Sequence, residues 1–123
     1  MSSGYEDATP EDAAKMIERG ECYVIDVRTP PEFARHRIAG AHLLPVQELQ
    51  ARHPEIPRNA SKKLLIVCEH GVRSAGTCRV LAENGWTNVV NMLGGMDEWV
   101  QAGLPHVTGT EKDAVYLGPP LNC

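Results

Sequence analysis

Short apolar runs alternate along this chain with stretches of helical character, and that alternation constrains the fold more than any other feature of the sequence. Cys22-Tyr-Val-Ile-Asp-Val27, Ala41-His-Leu-Leu44, Lys63-Leu-Leu-Ile-Val67 and Asn88-Val-Val-Asn-Met92 have the length and largely apolar makeup of buried strands. Between them lie helix signals. Thr9 can cap a helix that starts at Pro10, with Glu11 and Asp12 at its positive end, Ala13, Ala14, Met16 and Ile17 as its buried stripe, and Gly20 as its stop. Pro30-Pro31-Glu32 opens a second helix through about His36, and Val46 to Arg52 gives a turn or two more. A loop with two prolines spans Pro54 to Ser61, a longer helix is expected over Ala75 to Asn84, and a short one over Met96 to Ala102. Strands that alternate with helices need crossover connections. The chain is therefore expected to be α/β, a mainly parallel sheet with helices on both faces and right-handed crossovers.

At 123 residues this is one domain. The pattern fades after Pro105, so the domain is placed at residues 1–107. Residues 108–123 are read as a C-terminal extension, packed on the surface or partly mobile, with a weak apolar cluster at Ala114 to Leu117. The net charge of −4 argues against a general nucleic-acid surface, and no apolar run is long enough to span a bilayer. The N-terminal residues lack the charged and apolar regions of a signal peptide, which makes the cytoplasm the expected location. Cys22, Cys68, Cys78 and Cys123 show neither C-x-x-C pairing nor zinc-like spacing and are read as separate free thiols. Oligomeric state leaves no mark in the sequence.

The candidate chemistry lies in Cys68-Glu69-His70-Gly71-Val72-Arg73-Ser74. Cys68 follows a buried strand and precedes a helix. Open α/β sheets form their ligand crevices at the C-terminal ends of strands. A helix N-terminus offers free N–H groups and a positive dipole end that favour a thiolate over a thiol. Successive loop amides can form an anion cradle, Gly71 permits the positive φ such a loop needs, and Arg73 adds a fixed positive charge. Cys68 is thus the candidate nucleophile, and Glu69, His70, Gly71, Val72, Arg73 and Ser74 are the candidate substrate-binding loop.

Three motifs over roughly residues 8 to 107 carry a family resemblance. The first is Asp26-Val27-Arg28 with Glu32-Phe33, Ile38-Ala39-Gly40-Ala41 and Leu44-Pro45. The second is the loop from Cys68 to Arg73, and the third is Leu93-Gly94-Gly95 with Trp99, Gly103, Leu104 and Pro105. In these the chain resembles the rhodanese-like sulfurtransferases, in their single-domain form. The resemblance implies a five-stranded parallel sheet and a persulfide on Cys68. The thiolate would attack the outer sulfur of thiosulfate or a persulfide donor, and the loaded sulfur would pass to cyanide or a thiol in a double displacement. Partners would be a small-molecule or protein donor and a thiol acceptor, with no metal or organic cofactor. Two other readings stay open: a non-catalytic binding or sulfur-relay adaptor, and an arsenate-reductase or phosphatase type of enzyme. Cys68 and Arg73 enclose four residues, one fewer than in those oxyanion-binding relatives, and the shorter loop suits a single sulfur atom.

Several residues have plainer roles beside these. His70 is an acid/base or donor-binding candidate, although loop histidines are more often simply solvated. Glu69 places a negative charge at the entrance, which should disfavour a dianionic donor and favour an uncharged or protein-bound persulfide. Ser74 either hydrogen-bonds Cys68 or, as is commoner, caps the helix. Cys78 and Cys22 read as core, with a resolving role for Cys78 the alternative, and Cys123 as an exposed thiol. Trp86 and Trp99 read as packing residues. Asp26, Arg28 and Glu32 form an expected polar scaffold with an Arg28–Glu32 pair. The family's usual Gly-His before Ile38 is His36-Arg37 here, so the local turn is expected to differ and Arg37 to add positive charge near the site.

Overall fold

The computed structural model describes residues 4–58 and 61–109. Five strands form one sheet: β1 (Glu6–Ala8), β2 (Cys22–Asp26), β3 (His42–Leu43), β4 (Lys63–Val67) and β5 (Val89–Met92). Their order is β1-β5-β4-β2-β3 and every neighbouring pair is parallel. The helices are α1 (Pro10–Glu18), α2 (Pro30–Arg35), α3 (Leu49–Arg52), α4 (Val72–Glu83) and α5 (Gly95–Gln101), with 3-10 turns at Val46–Glu48 and His53–Glu55.

Strand alternation divides the core into two layers. Val24, Leu65, Val67, Val90 and Met92 point to one face, where they meet Ala13 of α1, Phe33 of α2, and Met96 and Trp99 of α5. Ile25, Val27, Leu64, Ile66, Cys68 and Val89 point to the other, against Cys78 and Leu81 of α4, with Ile56 and Trp86. β4 is central and buried on both sides, and the nucleophile candidate sits just beyond its C-terminal end.

The expected α/β sheet, covered on both faces, is what the chain forms. Thr9 caps α1 from its side chain, with Pro10 in the first turn. Thr29 caps α2 in a reciprocal capping box with Glu32. Three local readings change. β1 was not anticipated: Glu6-Asp7-Ala8 is polar and mostly exposed, and it forms an edge strand by pairing with β5. The proline loop contains a helical turn at His53–Glu55. The helix expected from Ala75 begins at Val72, so the last residues of the candidate loop form its first turn. The tail cluster at Ala114 to Leu117 and Cys123 lie outside the described residues.

Candidate active site

The cradle around Cys68 is built by the change from strand to helix. Cys68 is buried at 1% exposure, and its Sγ accepts hydrogen bonds from the Gly71 N–H at 3.0 Å and the Ser74 N–H at 3.3 Å. Gly71 precedes α4 with φ +94°, a backbone state that turns its amide inward and that a side chain would oppose. The loop rests on the start of α5. The Met96 N–H donates to the Cys68 carbonyl at 2.8 Å, and the Asp97 N–H to that of Glu69 at 3.0 Å. A Cβ on Gly95 would collide with the Glu69 and Cys68 carbonyl groups, which explains the second glycine of the third motif.

Charge is arranged differently from the expected pattern. The Arg28–Glu32 pair does not form. Arg28 is fully buried, with Nε and Nη2 on the Asp26 carboxylate, Nη2 also on the His36 carbonyl at 2.8 Å, and Nη1 on Glu69 Oε1 at 2.9 Å. Burial pushes the Asp26 carboxyl above its ordinary value, against hydrogen bonds from Arg28 that pull it down. Glu32 instead binds Arg73 through both oxygens, at 2.8 and 2.7 Å. This pairing, with help from Thr29, holds the Glu32 carboxyl down at about 2. Both partner switches span the same sequence distance, and a local reading of charge spacing could not have foreseen either. The Glu69 charge, expected to disfavour a dianionic donor, has a cation beside it. It is largely buried, paired with Arg28, and has His36 Nε2 at 3.6 Å. Arg37 is buried, with its guanidinium over the Phe33 ring and its Nε on the Gly109 carbonyl, so its charge is engaged internally.

His70 and Val72 are the exposed members of the loop, at 69% and 76%, and His70 Nδ1 lies 3.8 Å from Asp97. Ser74 is not a cap. α4 begins without a side-chain cap, and Ser74 is fully buried with its Oγ 3.2 Å from the Cys68 sulfur. Its hydroxyl donates to Asn91 Oδ1 in β5, a residue the sequence reading passed over. The signal was there: Asn91 is the one polar residue in the apolar run Val89–Met92. Cys78 is buried and belongs to the same apolar layer as Cys68; burial pushes its thiol up to about 12. Cys22 is half-buried, with its thiol pushed up to about 11. Trp86 and Trp99 are buried, donating to the Ile56 and Pro105 carbonyls.

Among the described residues no group of three His, Cys, Asp or Glu is arranged to hold a metal ion, and no helix is long and apolar enough to cross a membrane. Chemically, the arrangement offers one sulfur nucleophile, inward amides that stabilise negative charge on it, and a loop locked by ion pairs.

Comparison with known proteins finds related sequences and a matching fold. The family model for the rhodanese-like domain matches residues 9–102. A sulfurtransferase of Allochromatium vinosum is 33% identical, over 76% of this chain and 85% of the relative. The thiosulfate sulfurtransferase GlpE of Actinobacillus succinogenes is 33% identical, over 85% of this chain and 92% of its own length. The crystal structure of a rhodanese-related protein from Thermoplasma volcanium superposes with a TM-score of 0.76 at 32% identity, covering 84% of this chain and 98% of that one.

Proposed function

The chain belongs to the rhodanese-like domain family, and from that premise we propose that it is a sulfurtransferase working through a persulfide on Cys68, with thiosulfate or a persulfide as donor and cyanide or a thiol as acceptor. The observation that carries this reading is the sulfur of Cys68 at the end of the central strand, with the Gly71 and Ser74 amides donating to it.

The Cys68 thiolate attacks the outer sulfur of the donor. A new S–S bond forms at Cys68, the donor's own S–S bond breaks, and its electron pair leaves with sulfite or a thiolate. The loop amides are already oriented toward negative charge on sulfur and need no rearrangement as it builds. The acceptor then attacks the outer sulfur, forms a bond to it and returns the electron pair to Cys68 as thiolate. The persulfide is itself the carrier, so the cycle needs no cofactor. Glu69 and His70 flank the entrance, Glu69 with its charge compensated by Arg28 and His70 open to solvent.

Incubation with thiosulfate followed by intact mass measurement tests the reading. The protein should gain one sulfur atom, lose it to cyanide, and gain none as Cys68→Ala. A folded protein that takes no sulfur from thiosulfate or from a persulfide would favour the adaptor reading. Hydrolysis of an aryl phosphate that depends on Cys68 would favour the oxyanion enzymes.

A further inference from the structure

A chain of hydrogen bonds leads from the Cys68 sulfur to the edge of the sheet. Ser74 Oγ lies 3.2 Å from Sγ, the Ser74 hydroxyl bonds to Asn91 Oδ1, and Asn91 Nδ2 lies 3.3 Å from Asp7 Oδ1 in the edge strand β1. Cys68, Ser74 and Asn91 are buried, whereas Asp7 is exposed. Residues 7 and 91 are register partners, which keeps the two side chains adjacent.

The far end fixes the direction of every link. An ionised carboxylate only accepts, so Asp7 holds the Asn91 amide with its NH₂ outward and its oxygen toward Ser74. That oxygen also only accepts, so the Ser74 hydroxyl must donate to it. The serine then turns lone pairs toward sulfur. This suits a thiol, whose S–H donates to Ser74 Oγ. It does not suit a thiolate or an anionic persulfide, which would face those lone pairs.

We propose that Asn91 is a positioning residue for Cys68, held by Asp7, which sets whether the Ser74 hydroxyl accepts from the sulfur or donates to it. When the sulfur is anionic the chain reverses. The Ser74 hydroxyl turns to the sulfur, the Asn91 amide turns over to donate to Ser74 Oγ, and Asp7 releases the amide into water, as its exposure allows. The consequence for turnover rests on the reading of Cys68 as sulfur carrier; the hydrogen-bond logic does not.

The test is the pH profile of Cys68 alkylation by iodoacetamide in the full chain, read by peptide mapping so that Cys22 and Cys78 are scored separately. Asp7→Asn is exposed and isosteric, and its amide can donate to a reversed Asn91. It should move the profile to lower pH and raise the neutral-pH rate by about fivefold, the scale of one hydrogen bond. Asn91→Leu should act in the same direction, since the Ser74 hydroxyl then has only sulfur to serve; a purely structural role would lower the melting temperature and leave the profile in place. In a Ser74→Ala background both effects should vanish, because the link is gone. A simple loss of negative charge at Asp7 would persist in that background. Arg73, whose charge bears on Cys68, and its partner Glu32 are unchanged in every arm, as is Cys78, which lies in the same layer and feels both Cys68 and Asp7. An unchanged profile in Asp7→Asn, or a shift that survives Ser74→Ala, overturns the proposal. Should Asn91→Leu not fold, the Asp7/Ser74 cycle decides alone. Wild-type protein that alkylates as expected yet takes up no sulfur would sink the sulfurtransferase reading and leave this one standing.

Discussion

The loop after β4 and the middle of α4 each bury a cysteine in the same apolar layer, Cys68 at 1% exposure and Cys78 at 0%. What surrounds the two sulfurs is not alike. Burial pushes the Cys78 thiol up to about 12, with the charge of Asp7 adding to the effect. Cys68 lies where the chain passes from strand to helix, and the Gly71 and Ser74 amides converge on its sulfur. In the middle of a helix the backbone amides are already committed to the carbonyls one turn back, so none is available to Cys78. Burial is common to both, so what separates the two sulfurs is access to backbone donors.

Removing the two thiols one at a time should produce the largest difference. Cys68→Ala is expected to abolish sulfur loading, a loss on the order of a thousandfold or more for a covalent nucleophile. Cys78→Ala should load normally and lose about 1 to 2 kcal/mol of stability from the cavity it leaves. Loading is read by intact mass and stability by urea melting. Loading that survives in Cys68→Ala, or fails in a folded Cys78→Ala, would break the comparison.

Next in size is the backbone itself. A methyl group on Gly71 meets the Gly94 amide nitrogen at 3.0 Å, in a backbone state with φ +94°. Gly71→Ala should therefore tilt the amide away from sulfur and slow loading by about ten- to a hundredfold, the scale of one lost oxyanion-type donor. Gly76, inside α4, is the matching control, since a Cβ there meets no atom within 4 Å. Gly76→Ala should leave loading intact and add roughly 0.5 to 1 kcal/mol through helix propensity. Equal loading rates in the two variants would show that the Gly71 amide is not a functional donor.

The same contrast between local and long-range order decides how much was readable in the sequence. Leu64–Val67 is apolar at consecutive positions because β4 is covered on both faces, and the strand was legible to the residue. The loop's cradle was legible because a cysteine after a buried strand, with glycine three residues on, lets the backbone turn its amides toward the sulfur. What joins the loop to the body was not. Arg28 meets Glu69, and Arg73 meets Glu32, across separations of 41 residues. Several carboxylates stand within reach of each arginine in sequence, and only the sheet order selects between them. β1 was missed for a related reason: its residues are chosen for an exposed edge, and pairing to β5 supplies what their own propensity does not. Of the two readings for Ser74 the commoner one, a cap, fails because Gly71 takes that place and frees the hydroxyl for Cys68 and the core.

The smallest expected effect concerns the Glu32–Arg73 pair, which ties the first turn of α4 to α2 and has no counterpart in the middle of that helix. Its carboxyl is held at about 2 in the folded protein against an ordinary 4.5, chiefly by Arg73. A carboxyl depressed by folding stabilises the native state in its ionised form. The contribution is therefore complete above pH 4.5 and drains away as the pH falls toward 2. The pair is partly exposed, with side chains at 34% and 20%, so solvent screens it and about 1 kcal/mol is expected at neutral pH. Glu32→Gln should lower the unfolding free energy from urea titration at pH 7 by that amount, and the gap to wild type should close on acidification across this window. The loading rate should fall only a few-fold, because the amide donors remain while their platform loosens. Stability curves that stay parallel from pH 5 to pH 2 would show that the pair contributes nothing through its charge. α4 would then be held by its apolar face and the Ser74–Asn91 bond, and the contrast between the two cysteines would rest on the amides and the Ser74 hydroxyl that reach only Cys68.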